Sequence, residues 1–144
     1  METLEIKKLN EKAKIPTYGT IDSAGADLYA LLDEDIIIES GETKVIPTGL
    51  AMAIPKGYVG LIYARSSLGT KKGLAPANKV GVIDADYRGE VKVVLYNQSK
   101  EIQTISPNER IAQIVITPYL QVKFKEVDNL SDTERGEGGF GSTN

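Results

Sequence analysis

Apolar and polar residues alternate along this chain in short bursts. Leu4 and Ile6 open the series, and Leu28 and Ala30 continue it. Then come Val59, Leu61 and Tyr63; Val91, Val93 and Leu95; Ile111, Gln113 and Val115; and Val122 with Phe124. Successive side chains of a strand point to opposite faces, so runs of period two predict half-buried strands. Turn formers separate them: Ser40-Gly41, Pro47-Thr48-Gly49, Pro55-Lys56-Gly57, Arg88-Gly89 and Pro107-Asn108. With no long stripe of period 3.6, this spacing predicts an all-β domain, as a sandwich, jelly roll or barrel.

Two segments depart from the pattern. After Arg65 one short helix is expected, capped by Ser66 or Ser67, passing through Leu68 and stopped by Gly73. An arginine and two hydroxyls at a helix start suit an anion, and they equally suit a capped surface turn. From Asp128 to Asn144 only Leu130 and Phe140 are large and apolar, and glycines crowd the end. Such a segment cannot hold itself folded, which divides the chain into a β domain over 1–127 and a flexible tail over 128–144. The tail still carries Arg135 and Phe140 among glycines whose amides can approach a phosphate closely. Its Gly136 to Gly141 run matches G-x-G-x-x-G, but no βαβ unit can follow three residues from the end, so a dinucleotide fold is rejected.

Composition narrows the chemistry. A chain of 144 residues makes one domain with one core. A net charge of -3 argues against a general nucleic-acid binder, which needs clustered cations. There is no cysteine, which removes disulfides and thiolate chemistry. Histidine is also absent, which removes imidazole bases, Ser-His-Asp triads and the usual zinc sets. Catalysis must then rest on carboxylates, Tyr, Lys, Arg and a hard cation. The N-terminus lacks a signal-type apolar core, and no run approaches the roughly 18 residues of a membrane span. A cytoplasmic location without membrane contact is the expectation.

Five separated segments carry the functional signal. They are Ser23-Ala-Gly-Ala-Asp27-Leu-Tyr29, Ala64-Arg-Ser-Ser-Leu-Gly69, Gly81-Val-Ile-Asp-Ala-Asp-Tyr-Arg-Gly89, Arg110-Ile-Ala-Gln-Ile114 and Arg135-Gly-Glu-Gly-Gly-Phe-Gly-Ser-Thr143. In order and spacing they resemble the five motifs of the dUTP pyrophosphatase family, across positions 23 to 143. One such segment would be weak, since short motifs recur by chance; five in register are a strong signal.

The resemblance implies a jelly-roll-like β-sandwich or distorted barrel, assembled as a homotrimer with each site drawn from more than one chain. It implies hydrolysis of dUTP to dUMP and pyrophosphate with Mg2+, which keeps uracil out of DNA and feeds thymidylate synthesis. Asp84 matches the general base for a water attacking the α-phosphorus; apart from the motif it reads as a turn residue. Asp27 matches the carboxylate facing magnesium, through metal-bound water; otherwise it is an outward polar position on a strand. Arg65, Ser66 and Ser67 match the triphosphate grip, Ser66 near the bond being cut, with Arg65 either on phosphate or paired with a carboxylate such as Asp27. Asn78, Val82, Ile83 and the backbone of Asp84 match the hairpin that reads uracil, and Tyr87 the ring that leaves no room for a 2′-hydroxyl. Gln113 matches a contact to the α-phosphate region or the attacking water, and Arg110 a direct contact or a supporting ion pair. In the tail, Phe140 would stack on uracil and Arg135 would reach the γ-phosphate. Gly141 and Ser142, with Gly138, Gly139 and Thr143, would add amides and hydroxyls.

Asp22 stands where the family often has Gly, and Lys72 where it often has His. Two other functions compete with this reading: a dCTP deaminase, a relative that shares an R-S-S segment but would carry a catalytic Glu in place of the Ile83 to Gly89 loop, and a non-enzymatic nucleotide-binding module.

Overall fold

The computed structural model describes residues 2–142; Thr143 of the fifth motif lies outside them. Eleven strands follow in order: β1 Glu5–Lys8, β2 Thr17–Tyr18, β3 Ala26–Tyr29, β4 Ile36–Ile38, β5 Thr43–Ala53 and β6 Tyr58–Tyr63. After them come β7 Leu74–Pro76, β8 Gly81–Ile83, β9 Glu90–Asn97, β10 Gln103–Ile105 and β11 Arg110–Pro118. All the pairings are antiparallel. One sheet runs β1-β5-β9-β7, a second β2-β3-β11-β6-β8, and β10-β4 form a ribbon. Two sheets facing one core give a jelly-roll-like sandwich, as the strand spacing predicts. Among the described residues no helix is long and apolar enough to cross a membrane.

The core is aliphatic. Leu28 of β3, Ile46 and Leu50 of β5, Val91, Val93 and Leu95 of β9 and Ile111 of β11 are all buried. Each contributes about 1.5–3 kcal/mol relative to exposure, so this face sets the registers of the long strands. Asn97 is buried and fully bonded: its amide donates to the Ile38 and Glu101 carbonyls, and its Oδ1 accepts from Ser99. It joins the end of β9 to the β4–β10 ribbon.

Several sequence expectations change. Pro47-Thr48-Gly49 is a bulge inside β5, where the register shifts between Pro47 and Leu50. Gly49 takes φ 71°, its amide donates to Glu90 Oε2, and the buried Thr48 hydroxyl donates to the Val91 carbonyl. These side chains replace the ladder bonds that the bulge interrupts, so the strand continues through a turn-like sequence. Ile111, Gln113 and Val115 do not share a face. The register shift between Arg110 and Ala112 resets the alternation, so Ala112 and Ile114 turn inward while Gln113 faces out. On β6 the buried residues are Gly60 and Ile62, and Val59, Leu61 and Tyr63 lie on the half-exposed face. The helix is a short turn with i→i+5 winding at Leu68–Lys72, ended by Gly73 at φ 67°. Neither serine caps it: Ser67 makes no side-chain cap bond and instead accepts from Arg65.

Val122 and Phe124 form no strand. From Tyr119 to Glu137 every residue is exposed, Phe124 at 92%. A strand needs a neighbour to satisfy its backbone groups, and none of the eleven is paired with this segment.

Candidate active site

Three adjacent strands build the first cluster. Asp27 of β3 lies opposite Gln113 of β11, and Gln113 lies opposite Tyr63 of β6. Directly opposed residues share a face, so the three form a row across the outer side of the sheet. The β11 bulge is what puts Gln113 in this row. Just beyond β6, Arg65 turns back: its Nε donates to Asp27 Oδ1 at 2.8 Å and its Nη1 to Ser67 Oγ at 3.2 Å. Arg110 Nη1, at the start of β11, stands 3.5 Å from Asp27 Oδ2. The Arg65 and Asp27 side chains are only 20% and 13% exposed, so their charge-assisted bond is shielded from solvent and fixes both rotamers. Gln113 Nε2 donates to the Ala64 carbonyl at 2.9 Å. Asp27, Arg65, Ser67 and Arg110 therefore form one connected polar group, with Gln113 beside Asp27 in the row and Ser66 exposed next to it.

Positive charge is in excess here. A cavity of about 220 Å³ is lined by Arg65, Lys71, Lys72 and Arg110 together with Ser67, Leu68 and Glu109. Lys72 is not free: it pairs with Glu109 at 3.2 Å and donates to the Thr104 carbonyl, tying the helical turn to the loop before β11. The surroundings favour an anion.

A second cluster sits on the β7–β8–β9 edge. Asn78 lies in the turn after β7, Val82 and Ile83 on β8, and Asp84 follows directly. Asp84 is exposed, and the salt bridges among the described residues leave it unpaired. Its carbonyl accepts from the Tyr87 amide, closing a tight turn. The Tyr87 hydroxyl donates to the Glu90 carbonyl at 2.9 Å, which lays the ring across Gly89, where a Cβ would collide with it. Val82, Ile83, Asp84, Tyr87, Glu90 and Lys92 line a cavity of about 350 Å³, a volume within the range of small-molecule sites. A smaller hollow of about 90 Å³ adjoins Asn78, Val82, Ile83 and Lys92. Lys92 lies outside the five segments and escaped the sequence reading. Its signal is one polar position between the buried Val91 and Val93, which faces out beside the hairpin.

The two clusters do not meet within one chain. Gly60 is opposite Ile83, Leu61 opposite Val82 and Ile62 opposite Gly81, so β8 runs toward the start of β6. Asp84 therefore lies near the start of β6 and Arg65 beyond its end. Five residues at about 3.3 Å each separate Gly60 from Arg65, some ~16 Å along the strand. The tail joins neither cluster. Phe140 is fully exposed, and Arg135 Nε donates to the Gly138 carbonyl at 2.6 Å, while Gly139 and Ser142 bond to each other. Gly141 takes φ 85° in this local turn.

Magnesium has a limited foothold. No group of three acidic side chains converges among the described residues. Both Asp27 oxygens face arginines, which leaves room for a metal-bound water but not for direct ligation without breaking the Arg65 bond. That suits a magnesium ion carried by polyphosphate, which keeps several waters.

Comparison with known proteins identifies the family. The family model described as dUTPase matches residues 11–144. The deoxyuridine 5′-triphosphate nucleotidohydrolase of Nautilia profundicola is 54% identical over 140 residues, 97% of each chain. A Staphylococcus bacteriophage 80alpha dUTPase mutant solved with dUpNHpp superposes with a TM-score of 0.90 at 31% identity, covering 99% of both chains. A mutant dUTPase of phage phi11 of S. aureus, described for its coordination of a structural Mg(II) ion, gives 0.78 at 28% identity over 89% of this chain and 98% of that one. With motifs, sandwich and near full-length relatives in agreement, the chain belongs to the dUTPase family.

Proposed function

We propose that this chain hydrolyses dUTP to dUMP and pyrophosphate in sites completed by neighbouring copies of itself within a homotrimer. The reaction is that of its family; the residue roles and the shared site are this proposal. Such an activity keeps uracil out of DNA, supplies dUMP for thymidylate synthesis, and goes with a cytoplasmic location.

Asp84 takes the proton of a water that attacks the α-phosphorus. The bond from that phosphorus to the bridging oxygen breaks, and pyrophosphate leaves with the electron pair. Among the described residues the exposed Asp84 carboxylate pairs with no cation, which suits a base that must face water. Ser66 donates to an oxygen near the breaking bond, and Arg65, with Ser67, holds the geometry of Asp27. Asn78, Val82 and Ile83 read the uracil edge, and Tyr87 closes the space a ribose 2′-hydroxyl would need. Lys92, lining the same cavity, joins the nucleoside site. Asp27 would hold magnesium through water. When bound, that ion neutralises charge on the phosphate oxygens.

One observation carries the proposal: the two half-sites stand at opposite ends of β6. In-line displacement needs the attacking and leaving oxygens within a few Å of one phosphorus, so Asp84 and Ser66 of one chain cannot serve the same phosphorus. The half-exposed apolar face of β6 points the same way. With Val82, 62% exposed, Val59 and Leu61 line an open depression of about 800 Å³ beside Asp84, a surface suited to a second copy. The alternation at Val122 and Phe124 also pairs with no strand among the described residues. Over the completed site the tail segment 128–142 closes as a lid, with Phe140 on the base, Arg135 on the γ-phosphate, and Gly141 and Ser142 adding donors.

Subunit complementation tests this reading. Asp84→Asn and Gln113→Ala variants, each weakened alone, are co-refolded in equal amounts and assayed for pyrophosphate release from dUTP. Random mixing puts an intact half from each parent together in about one site in four, so about a quarter of wild-type activity is expected. Activity no higher than the mean of the parents would show that each chain carries its own complete site.

A further inference from the structure

We infer that Gly25 is a positioning residue whose missing side chain leaves the slot in which the Gln113 amide lies. This rests on reading Gln113 as a contact to the α-phosphate region or the attacking water. A Cβ built on Gly25 would overlap Gln113 Oε1 and would lie 3.0 Å from its Cδ and 3.2 Å from its Cβ. Backbone freedom does not account for the glycine, because Gly25 is not among the glycines of positive φ. Space does. Gln113 sits on β11 between β3 and β6, paired on both sides, so its own Cβ cannot retreat. Its amide would have to swing away and release the Ala64 carbonyl, which it holds at 2.9 Å.

That carbonyl also decides the amide's orientation. Ala64 O is an acceptor, so the group facing it must be the NH2, and Oε1 must be the atom over Gly25. One N–H and the Oε1 lone pairs stay available for chemistry. Gly25 thus holds in place a side chain that offers the polyphosphate site both a donor and an acceptor, without touching substrate itself.

The test is a double-mutant cycle on the full-length protein with dUTP and magnesium. Gly25→Ala should lower kcat by about tenfold, close to the loss in Gln113→Ala, with KM nearly unchanged. Adding Gly25→Ala to Gln113→Ala should cost nothing further. The side-chain amide resonance of Gln113, identified by its loss in Gln113→Ala, should shift in Gly25→Ala. Additive losses, or an unmoved resonance, would overturn the inference. If Gly25→Ala fails to fold, Gln113→Ala should rescue it by emptying the slot; failure of the double variant also overturns the inference. Full turnover in Gln113→Ala alone would refute the role given to Gln113, while the resonance would still report on the Gly25 contact.

Discussion

The two halves of the site are built in opposite ways. On the β3–β11–β6 face, Asp27, Arg65 and Gln113 are half-buried; Arg65, just beyond β6, bonds Asp27 of β3, and Gln113 of β11 bonds the Ala64 carbonyl. In the loop between β8 and β9, Asp84 is exposed and unpaired among the described residues, and the Tyr87 ring is held by one hydroxyl bond. The first half is a rigid cradle, its rotamers locked by these bonds. The second presents the Asp84 carboxylate, the base of the proposal, to solvent. A reactive group can tolerate such exposure only if another surface covers it later, the part proposed for a second copy and the tail.

Substitutions can break or sharpen that contrast. The largest effect belongs to Asp84→Asn: a loss of ~10²–10⁴ in kcat for pyrophosphate release, with the melting temperature unchanged because the side chain is exposed and makes no salt bridge among the described residues. Asp27→Ala should behave differently, lowering turnover and stability together. It strips Arg65 of its main partner in a shielded position, costing about 1–3 kcal/mol and several degrees in a thermal melt. If Asp27→Ala melted like the parent, the cradle would not be the rigid half. Removing 128–144 should reduce kcat/KM for dUTP by about 10–100-fold, the loss of one base stack, while leaving melting intact. Full activity in that truncation would defeat the lid. The smallest change is Tyr87→Phe, which deletes only the bond to the Glu90 carbonyl, a contact worth about 0.5–1.5 kcal/mol. The freed ring should raise the rate with UTP relative to dUTP a few-fold, measured on both nucleotides. Unaltered discrimination would show that packing over Gly89 alone holds the ring.

Much of this was legible in the chain. The period-two runs of β1, β3 and β9 and the stop at Gly73 read correctly, because they depend on near neighbours and on backbone sterics. The misreadings share one cause. Pro47-Thr48-Gly49 has the composition of a turn, yet Glu90 and Val91 on a distant strand make it a bulge. Ile111 and Gln113 alternate like one face, but an extra residue in the pairing with β3 separates them. Val122 and Phe124 alternate like a strand and find no partner in the same chain.

By itself, then, the sequence determined the residue types, their motif spacing, the all-β class and the exclusion of thiol and imidazole chemistry. These follow from covalent identity and local periodicity, which no packing can alter. Tertiary structure alone decided that Gln113 stands in line with Asp27, that Arg65 bonds Asp27, that Lys92 lines the cavity beside Asp84, and that Asp84 stands a strand's length from Arg65. Each of these depends on register between strands far apart in the chain. A shift of one residue in that register inverts a face, and no local pattern records it.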